Sequence, residues 1–169
     1  YVDDYELIAG GVGIDEDGVY YILNAAGWNW MEAQTDTFFS GKTIALGKDI
    51  DFDNATITPI RFWDPDHPTT FDGQNFTVKN FVINGGNNGN IALFNGTLNV
   101  ENLKIDNATV SGNGYVAVVG GNIYGSIDNV HITNSTVTGT YWQVGGFAGQ
   151  FNSGNITNCH VRGTTIRAY

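Results

Sequence analysis

A six-residue pattern recurs four times from residue 78 onward and constrains the fold more than any other feature of the sequence. Each copy contains an apolar residue, a polar residue, an asparagine, an apolar residue, a variable residue and an aliphatic residue. The copies are VKNFVI, VENLKI, IDNVHI and ITNCHV, with asparagines at Asn80, Asn102, Asn129 and Asn158. Successive asparagines are 22, 27 and 29 residues apart. Repetition at this period is typical of a solenoid, in which each repeat buries its apolar face against its neighbours.

The residues within each copy indicate a β-strand, because apolar positions lie two or three residues apart and β-branched types dominate. Aligning the four copies gives three columns that are apolar throughout, and we expect these to point inward. The columns are Phe81, Leu103, Val130 and Cys159; Ile83, Ile105, Ile132 and Val161; and Val78, Val100, Ile127 and Ile156. The residues between them are mostly polar, and we expect Lys104, His131 and His160 to stack in one outward column.

Two further strands accompany each of the later copies. One follows the repeat and aligns Val110, Val137 and Ile166; the other precedes it through Phe94, Val119 and Phe147. Three parallel strands per turn predict an all-β fold, a parallel β-helix of about five coils. An earlier coil begins at Gly41, where the alignment matches Ile44 with Phe76 and Ile50 with Phe81. We expect the asparagines to be buried at a corner and to bond to their copies in adjacent coils.

The first 40 residues follow a different pattern. Residues 1–18 are acidic and irregular, VYYIL from Val19 predicts a strand, and Asn24 is suited to cap a helix over Ala25 to Thr37. We predict that this helix covers the open end of the solenoid. The chain is then a single domain with two parts, a lead-in strand and capping helix in 1–40 and a parallel β-helix in 41–169.

Composition excludes several functional classes. The formal net charge of −10, with only 7 Lys and Arg residues, argues against binding to nucleic acid or to an anionic membrane surface. The sequence contains no run of about 18 apolar residues, so we expect no segment that spans a bilayer. Cys159 is the single cysteine, so the sequence predicts neither an internal disulfide nor a cysteine-based zinc cluster. We predict no cofactor.

The order of the segments resembles a known group of proteins. The segments are YYILNAAGW, SGKTIALGKDIDF, TFDGQNFTVKNFVI, LFNGTLNVENLKI and VGGFAGQFNSGNITNCHVRG. They are similar to the entry module of right-handed parallel β-helix surface proteins of Gram-negative gut bacteria, which carry GLUG repeats named after a Gly-Leu-any-Gly signature. Residues 145–149, GGFAG, come close to that signature. The resemblance implies a right-handed β-helix, an extracellular or outer-cell-surface location, adhesin-like roles and no catalytic residues.

Both ends of the sequence suggest that it is part of a larger protein. It begins at Tyr1 without a signal peptide and stops at Tyr169 in what we predict to be the middle of a coil. We therefore expect a mature fragment of a longer secreted polypeptide.

Aromatic residues are the main candidates for ligand binding. Tyr115, Tyr141 and Trp142 precede aligned strands and should crowd one corner of adjacent coils, while Phe62 and Trp63 lie in an inserted segment, 61–70. Exposed rings beside amide side chains form platforms on which sugars or peptides stack. The alternative is that these rings only cover the edges of the solenoid.

Metal binding is the weaker prediction. Asp64, Asp66 and His67 in the inserted segment could hold calcium. A rigid turn formed by Pro65 and Pro68 is, however, a sufficient explanation of this segment. Stacked His131 and His160 are too few ligands for a metal without a third group. We therefore predict no metal site.

The sequence alone is compatible with three functions. We predict a non-catalytic secreted or cell-surface module that binds a glycan or a host or cell-surface protein. The first alternative is a polysaccharide-degrading enzyme, either pectate-lyase-like or a glycosidase, in which Glu101 and Asp128 on adjacent coils would form the acid pair. The second is a structural spacer in a surface protein.

Overall fold

The computed structural model describes residues 4–87, 89–141 and 143–169. Within them the chain forms one helix and a series of short strands. In chain order these are β1 (Glu6–Ala9), β2 (Val12–Ile14), β3 (Tyr20–Ile22), α1 (Ala25–Glu32), β4 (Thr43–Leu46), β5 (Ile50–Thr56), β6 (Ile60–Phe62), β7 (Thr69–Asp72), β8 (Thr77–Asn84), β9 (Gly89–Ile91), β10 (Phe94–Gly112), β11 (Gly114–Val116), β12 (Gly120–Tyr124), β13 (Ile127–Thr133), β14 (Thr136–Gly139), β15 (Gln143–Val144), β16 (Ala148–Ser153), β17 (Ile156–Thr157), β18 (His160–Arg162) and β19 (Thr165–Ala168).

Strands of successive coils pair in parallel, which confirms the predicted parallel β-helix of about five turns. One row of strands runs through β4, β7, the middle of β10 and β13, and a second runs through β5, β8, the end of β10, β14 and β19. A third row contains β6, the start of β10, β12 and β16. Strands β9, β11 and β15 form a separate small sheet. At the N-terminus β1, β2 and β3 are antiparallel, and β3 then pairs in parallel with β4.

The predicted register is confirmed between the last three copies of the repeat. Leu103 pairs with Val130, His131 pairs with His160, and Ile132 pairs with Val161. The following strand is also as predicted, because Val137 pairs with both Val110 and Ile166.

The register predicted for the first copy is wrong. Val78 pairs with Ile105 and Phe81 with Ala108, so neither shares a column with Val100 or Leu103. The residue that faces Val100 is Phe71. The error arises because two consecutive strands of each coil contain an asparagine between apolar residues. VKNFVI therefore matches IDNATV as well as VENLKI.

The register predicted for the earliest coil is also wrong. Ile44 pairs with Phe71 instead of Phe76, and Ile50 pairs with Val78 instead of Phe81. On the third row Phe94 pairs with Gly120, one residue away from the predicted Val119, whereas the pairing of Gly120 with Ala148 has the same offset as the predicted alignment of Val119 with Phe147.

Asparagines turn the chain at two corners of each coil. Asn80, Asn102, Asn129 and Asn158 all have φ between 52° and 57°, the left-handed conformation that asparagine tolerates better than most residues. They form two ladders instead of the single one we predicted: Asn107 Nδ2 donates to Asn80 Oδ1 at 2.9 Å, and Asn129 Nδ2 donates to Asn102 Oδ1 at 2.9 Å. These side chains are half-buried or exposed instead of buried, because a corner presents them to solvent.

Helix α1 begins where predicted, at Ala25, but ends at Glu32 instead of Thr37. Asn24 Oδ1 accepts a hydrogen bond from the Gly27 N–H at 2.9 Å, as an N-cap does. Trp28 and Met31 are each 1% exposed and join the core. No helix in the described residues has the length and apolar character needed to cross a membrane.

Candidate functional site

Trp63 and Tyr124 form an exposed aromatic pair. Trp63 follows β6 and Tyr124 ends β12, on the same row of strands. Their rings meet edge to face with centroids 5.6 Å apart, and the two residues are 37% and 38% exposed. Arg61 lies over the Trp63 ring at 5.6 Å and forms an ion pair with Asp36 at 3.2 Å. The tryptophan is therefore held in place while its surface stays accessible.

Two clefts flank this pair, and together with the two rings they define the aromatic site. The cleft on one side, of about 280 Å³, is lined by Arg61, Trp63, Asn90, Asn95, Gly96 and Asn122. The cleft on the other side, of about 470 Å³, is lined by Trp63, Pro65, Pro68, Thr97, Asn99, Tyr124, Gly125 and Ser153. Amide and hydroxyl groups thus surround the rings on both sides, which suits a ligand that has both apolar faces and hydroxyl groups.

Phe62 does not belong to this site, contrary to our prediction. It is 1% exposed and packs against Phe39 and Phe94 at centroid distances of 6.1 Å. Adjacent residues of a strand point to opposite faces, so the outward position of Arg61 places Phe62 in the core. Sequence reasoning missed Tyr124, although its alternation with buried Ile123 was a readable signal.

Two other predicted aromatics, Tyr115 and Tyr141, lie on or beside the small sheet. Tyr115 in β11 pairs with Gln143 and with Asn90, and Asn90 lines the smaller cleft of the aromatic site. Tyr141 is 69% exposed and borders a shallow cleft with Asn113. Trp142 lies outside the residues that the structure describes.

Among the candidate calcium residues, the Asp64 carboxylate forms hydrogen bonds within its own turn. Asp64 Oδ1 accepts hydrogen bonds from the backbone N–H groups of Asp66 and His67, both at 3.2 Å. Asp64 Oδ2 lies 3.3 Å from His67 Nδ1. Over the described ranges, no three His, Cys, Asp or Glu residues are grouped in a way that could hold a metal ion.

Three acids stack on adjacent coils. Glu101 pairs with Asp72 on one side and with Asp128 on the other, so the predicted proximity of Glu101 and Asp128 is confirmed. Burial and the charges of Asp72 and Asp128 raise the pKa of Glu101. Hydrogen bonds from Thr157 Oγ1 at 2.6 Å and Asn158 Nδ2 at 3.0 Å lower the pKa of Asp128. The two clefts of the aromatic site are lined by other residues.

Glu101→Gln is expected to stabilise the fold at neutral pH. A carboxyl group whose pKa is raised by folding disfavours the folded state at pH values above its pKa, and removing its charge relieves that cost. Like charges on facing strand positions cost about 0.2–1 kcal/mol, so thermal unfolding should shift upward by about 1–3 °C. Glu16→Gln, which removes an exposed charge from the N-terminal turn, is the matched control. An unchanged or lowered melting temperature for Glu101→Gln alone would contradict the repulsion.

A second concave surface, which we call the basic groove, crosses several coils. Its volume is about 660 Å³, and it is lined by Asp49, Thr77, Lys79, Lys104, Asp106, His131, Ile132, Thr133, His160 and Arg162. The predicted stacking of Lys104, His131 and His160 is confirmed: the three side chains follow one outward column, and the two imidazole rings lie parallel at 7° with centroids 4.9 Å apart.

Sequence reasoning did not find the groove as a whole. Lys79 was aligned with Glu101, whereas it pairs with Asp106, which in turn pairs with Thr133 and so leads to Arg162. The 27-residue spacing between Asn80 and Asn107 equals that between Asn102 and Asn129, and this equality could have revealed the correct column.

His131 is surrounded by positive charge. Burial, with His160, Lys104 and Arg162 nearby, lowers the pKa of His131. Its Nε2 lies 2.8 Å from Asn129 Oδ1. Since Asn129 Nδ2 donates to Asn102, the asparagine ladder fixes which atom of Asn129 meets the imidazole.

Comparison with known proteins supports the architecture. Residues 140–167 match the family model described as the GLUG motif. The fold is similar to the crystal structure of a Bacteroides ovatus protein provisionally described as an immunoglobulin A1 protease, with a TM-score of 0.60 and 19% identity over 90% of this chain. The chain spans 59% of that structure. No curated protein sequence matches. The resemblance to β-helix proteins with GLUG repeats is therefore confirmed: the last coil carries the motif, and the fold has a counterpart in a Bacteroides protein.

Proposed function

We propose that the chain is a non-catalytic, secreted or cell-surface β-helix module that binds glycans through the aromatic site. The observation that carries the proposal is the exposed Trp63–Tyr124 pair between two clefts lined by amide and hydroxyl groups. The GLUG motif in residues 140–167 supports the location, since proteins that carry it are typically extracellular.

The chemistry of the aromatic site suits a sugar ring. The apolar C–H face of a sugar can lie against an aromatic ring, and its hydroxyl groups need hydrogen-bonding partners at the edges. Asn122 offers its Nδ2 group as a donor beside Trp63, and the buried Asn95 positions it, since Asn95 Oδ1 accepts from the Asn122 N–H at 3.2 Å. Pro65 and Pro68 restrict the backbone on the opposite side, which lowers the entropy that binding would cost.

An enzymatic function is the second candidate, favoured by the provisional description of the Bacteroides ovatus protein as a protease. A cysteine protease needs a readily ionised thiol, whereas burial raises the pKa of Cys159. A glycosidase needs an acid pair in a cleft, and the Asp72, Glu101 and Asp128 column borders neither the aromatic site nor the basic groove. These observations favour binding over turnover.

A glycan array followed by titration calorimetry tests the proposal. We expect Trp63→Ala and Tyr124→Ala each to weaken binding of the best neutral glycan about tenfold, because each removes one stacking surface. Trp63→Phe should retain part of the affinity. Tyr141→Ala is the matched control, since it removes an exposed ring outside the aromatic site.

Two results would refute glycan binding at this site. The first is unchanged affinity for Trp63→Ala and Tyr124→Ala while Tyr141→Ala loses binding. The second is the absence of any glycan ligand on the array, which would favour the spacer. Turnover of a bound polysaccharide or of an immunoglobulin by the wild-type chain, abolished by Glu101→Gln, would favour the enzyme.

A further inference from the structure

We propose that the basic groove is a second binding site, one that takes the carboxylate or sulfate groups of an acidic polysaccharide lying along the axis of the solenoid. It is independent of the aromatic site, because the two surfaces share none of their lining residues.

The groove concentrates the positive charge of an acidic protein. It contains Lys79, Lys104 and Arg162, three of the 7 Lys and Arg residues, together with two of the 3 histidines. The chain as a whole has a formal net charge of −10. A concave surface of one sign focuses the electrostatic field and attracts ligands of the opposite sign. Anions repelled elsewhere on the molecule would therefore be drawn to this face.

Within the described residues, no cation of the groove forms an ion pair, although Lys79 faces Asp51 and Asp106 on the adjacent strands. Among residues 4–87, 89–141 and 143–169, the ion pairs join Arg61 to Asp36 and His67 to Asp64, both outside the groove. Two acids line the groove itself, and both are engaged by protein donors. Asp106 Oδ1 accepts from Thr133 Oγ1 at 2.8 Å and from Asn134 Nδ2 at 2.9 Å, and Asp49 Oδ1 accepts from the Thr77 N–H at 2.8 Å. The cations remain available to an external anion.

The spacing of the cations fits a linear polyanion better than a single small anion. Lys104, His131 and His160 come from three consecutive coils, which repeat at about 4.8 Å. Lys79 and Arg162 lie in the neighbouring outward column, at opposite ends of the groove. An extended chain with a charged group on successive sugars can contact this row at several points, whereas one carboxylate contacts only part of it.

His131 makes the site sensitive to pH. When Asn129 Oδ1 accepts from Nε2, the Nδ1 atom of His131 is left to take up a proton. Burial and the neighbouring cations lower the pKa of His131, so acidification is needed to charge it, and a bound anion would favour that charge. The other charged and titratable groups that line the groove with His131 are Lys104 and Asp106 from β10, Lys79 from β8, His160 and Arg162 from β18, and Asp49 before β5. Affinity for an anion should rise as the pH falls.

The test measures binding of polygalacturonate, which has only carboxylates, and of heparin, which also has sulfates, with neutral dextran as the reference. We expect binding of at least one acidic polymer at low ionic strength, strengthened about fivefold between pH 7.5 and 5.5 and weakened by salt. Arg162→Ala should weaken it by up to about fivefold, and Lys104→Ala/Arg162→Ala by about tenfold. Arg167→Ala, an exposed arginine in the same coil but outside the groove, is the matched control.

Further variants test the pH dependence and the location of the site separately. His131→Gln/His160→Gln should abolish the pH dependence while keeping binding at pH 7.5. Trp63→Ala should leave acidic polymers bound as before, which distinguishes this site from the aromatic site. The proposal is overturned if neither acidic polymer binds at pH 5.5, if Arg162→Ala and Arg167→Ala are indistinguishable, if galacturonate monomer binds as tightly as the polymer, or if a DNA oligomer binds equally well.

Discussion

Trp28→Ala is expected to lower the free energy of unfolding by about 3–5 kcal/mol, the range for truncating a large aromatic in a packed core. Trp28 is 1% exposed, and its ring meets Phe52, Phe71 and Phe94 at centroid distances of 5.7, 5.8 and 5.8 Å. These three rings belong to β5, β7 and β10. One side chain of the helix therefore joins three strands at the N-terminal end of the solenoid.

Loss of this contact should also open the end of the solenoid. Without the tryptophan, helix α1 keeps Met31 as its other large buried side chain. We expect the variant to aggregate on warming, because core residues and strand edges become accessible. Urea unfolding followed by fluorescence gives the free energy, and light scattering gives the aggregation.

Two comparisons make the Trp28 result specific. The indole Nε1 is buried without a hydrogen-bond partner within the described residues, so Trp28→Phe removes an unsatisfied donor and should cost clearly less than Trp28→Ala. Trp63→Ala removes the same side chain from the surface, where substitutions usually change stability by about 0.5 kcal/mol or less. If Trp28→Ala and Trp63→Ala unfolded at the same urea concentration, the helix would not be a cap.

The sequence was sufficient to predict the fold because a solenoid repeats the same solution in every coil. The pairings of Leu103 with Val130 and of Val110 with Val137 were both readable from aligned apolar columns. The register of Val78 could not be predicted in this way, because consecutive strands of one coil have similar sequences and are joined by an asparagine corner. The apolar pattern alone cannot decide which of two similar strands lies beside Val78. The backbone pairing shows that its partner is Ile105.

The candidate sites depend on the outward residues, which the repeat constrains least. Phe62 and Trp63 are adjacent in sequence, yet one is in the core and the other is exposed, since successive side chains of an extended chain point to opposite faces. The basic groove requires the correct register of two columns at once. Lys104, His131 and His160 were predicted together, whereas Lys79 was placed opposite an acid column that it does not contact. The register error of five residues in the coil that contains Lys79 therefore kept Lys79 and Asp106 from being recognised as part of the groove.

Asn102→Ala is expected to cost about 2–3 kcal/mol, and Asn102→Gly about 1 kcal/mol, because alanine loses both the ladder and a favourable backbone while glycine loses only the ladder. Asn102 has φ of 53°, a conformation that costs residues with a Cβ atom about 1–2 kcal/mol. Its Nδ2 donates to Asp72 Oδ1 at 3.2 Å, and its Oδ1 accepts from Asn129 at 2.9 Å. Each such hydrogen bond contributes about 0.5–1.5 kcal/mol.

Asn113→Ala is the matched control for the ladder. Asn113 Nδ2 donates to Asn87 Oδ1 at 3.0 Å across coils, but Asn113 is not among the residues with positive φ, so its loss should cost less than 1 kcal/mol. Urea unfolding of the three variants separates the contributions. Equal free energies for Asn102→Gly and Asn102→Ala would show that backbone conformation is not the reason for asparagine at this corner.

The same substitution connects the corner to the basic groove. Asn102→Gly removes the closer of the two acceptors that orient the Asn129 amide, the other being Asn75 Oδ1 at 3.3 Å, and Asn129 Oδ1 in turn accepts from His131. An amide that keeps only the longer of these two bonds can more readily turn its NH₂ group toward the imidazole, which disfavours the protonated ring. We therefore expect Asn102→Gly to reduce the gain in affinity for an acidic polymer between pH 7.5 and 5.5 while leaving affinity at pH 7.5 nearly unchanged. An unchanged gain would mean that the ladder supports the fold alone and does not position His131.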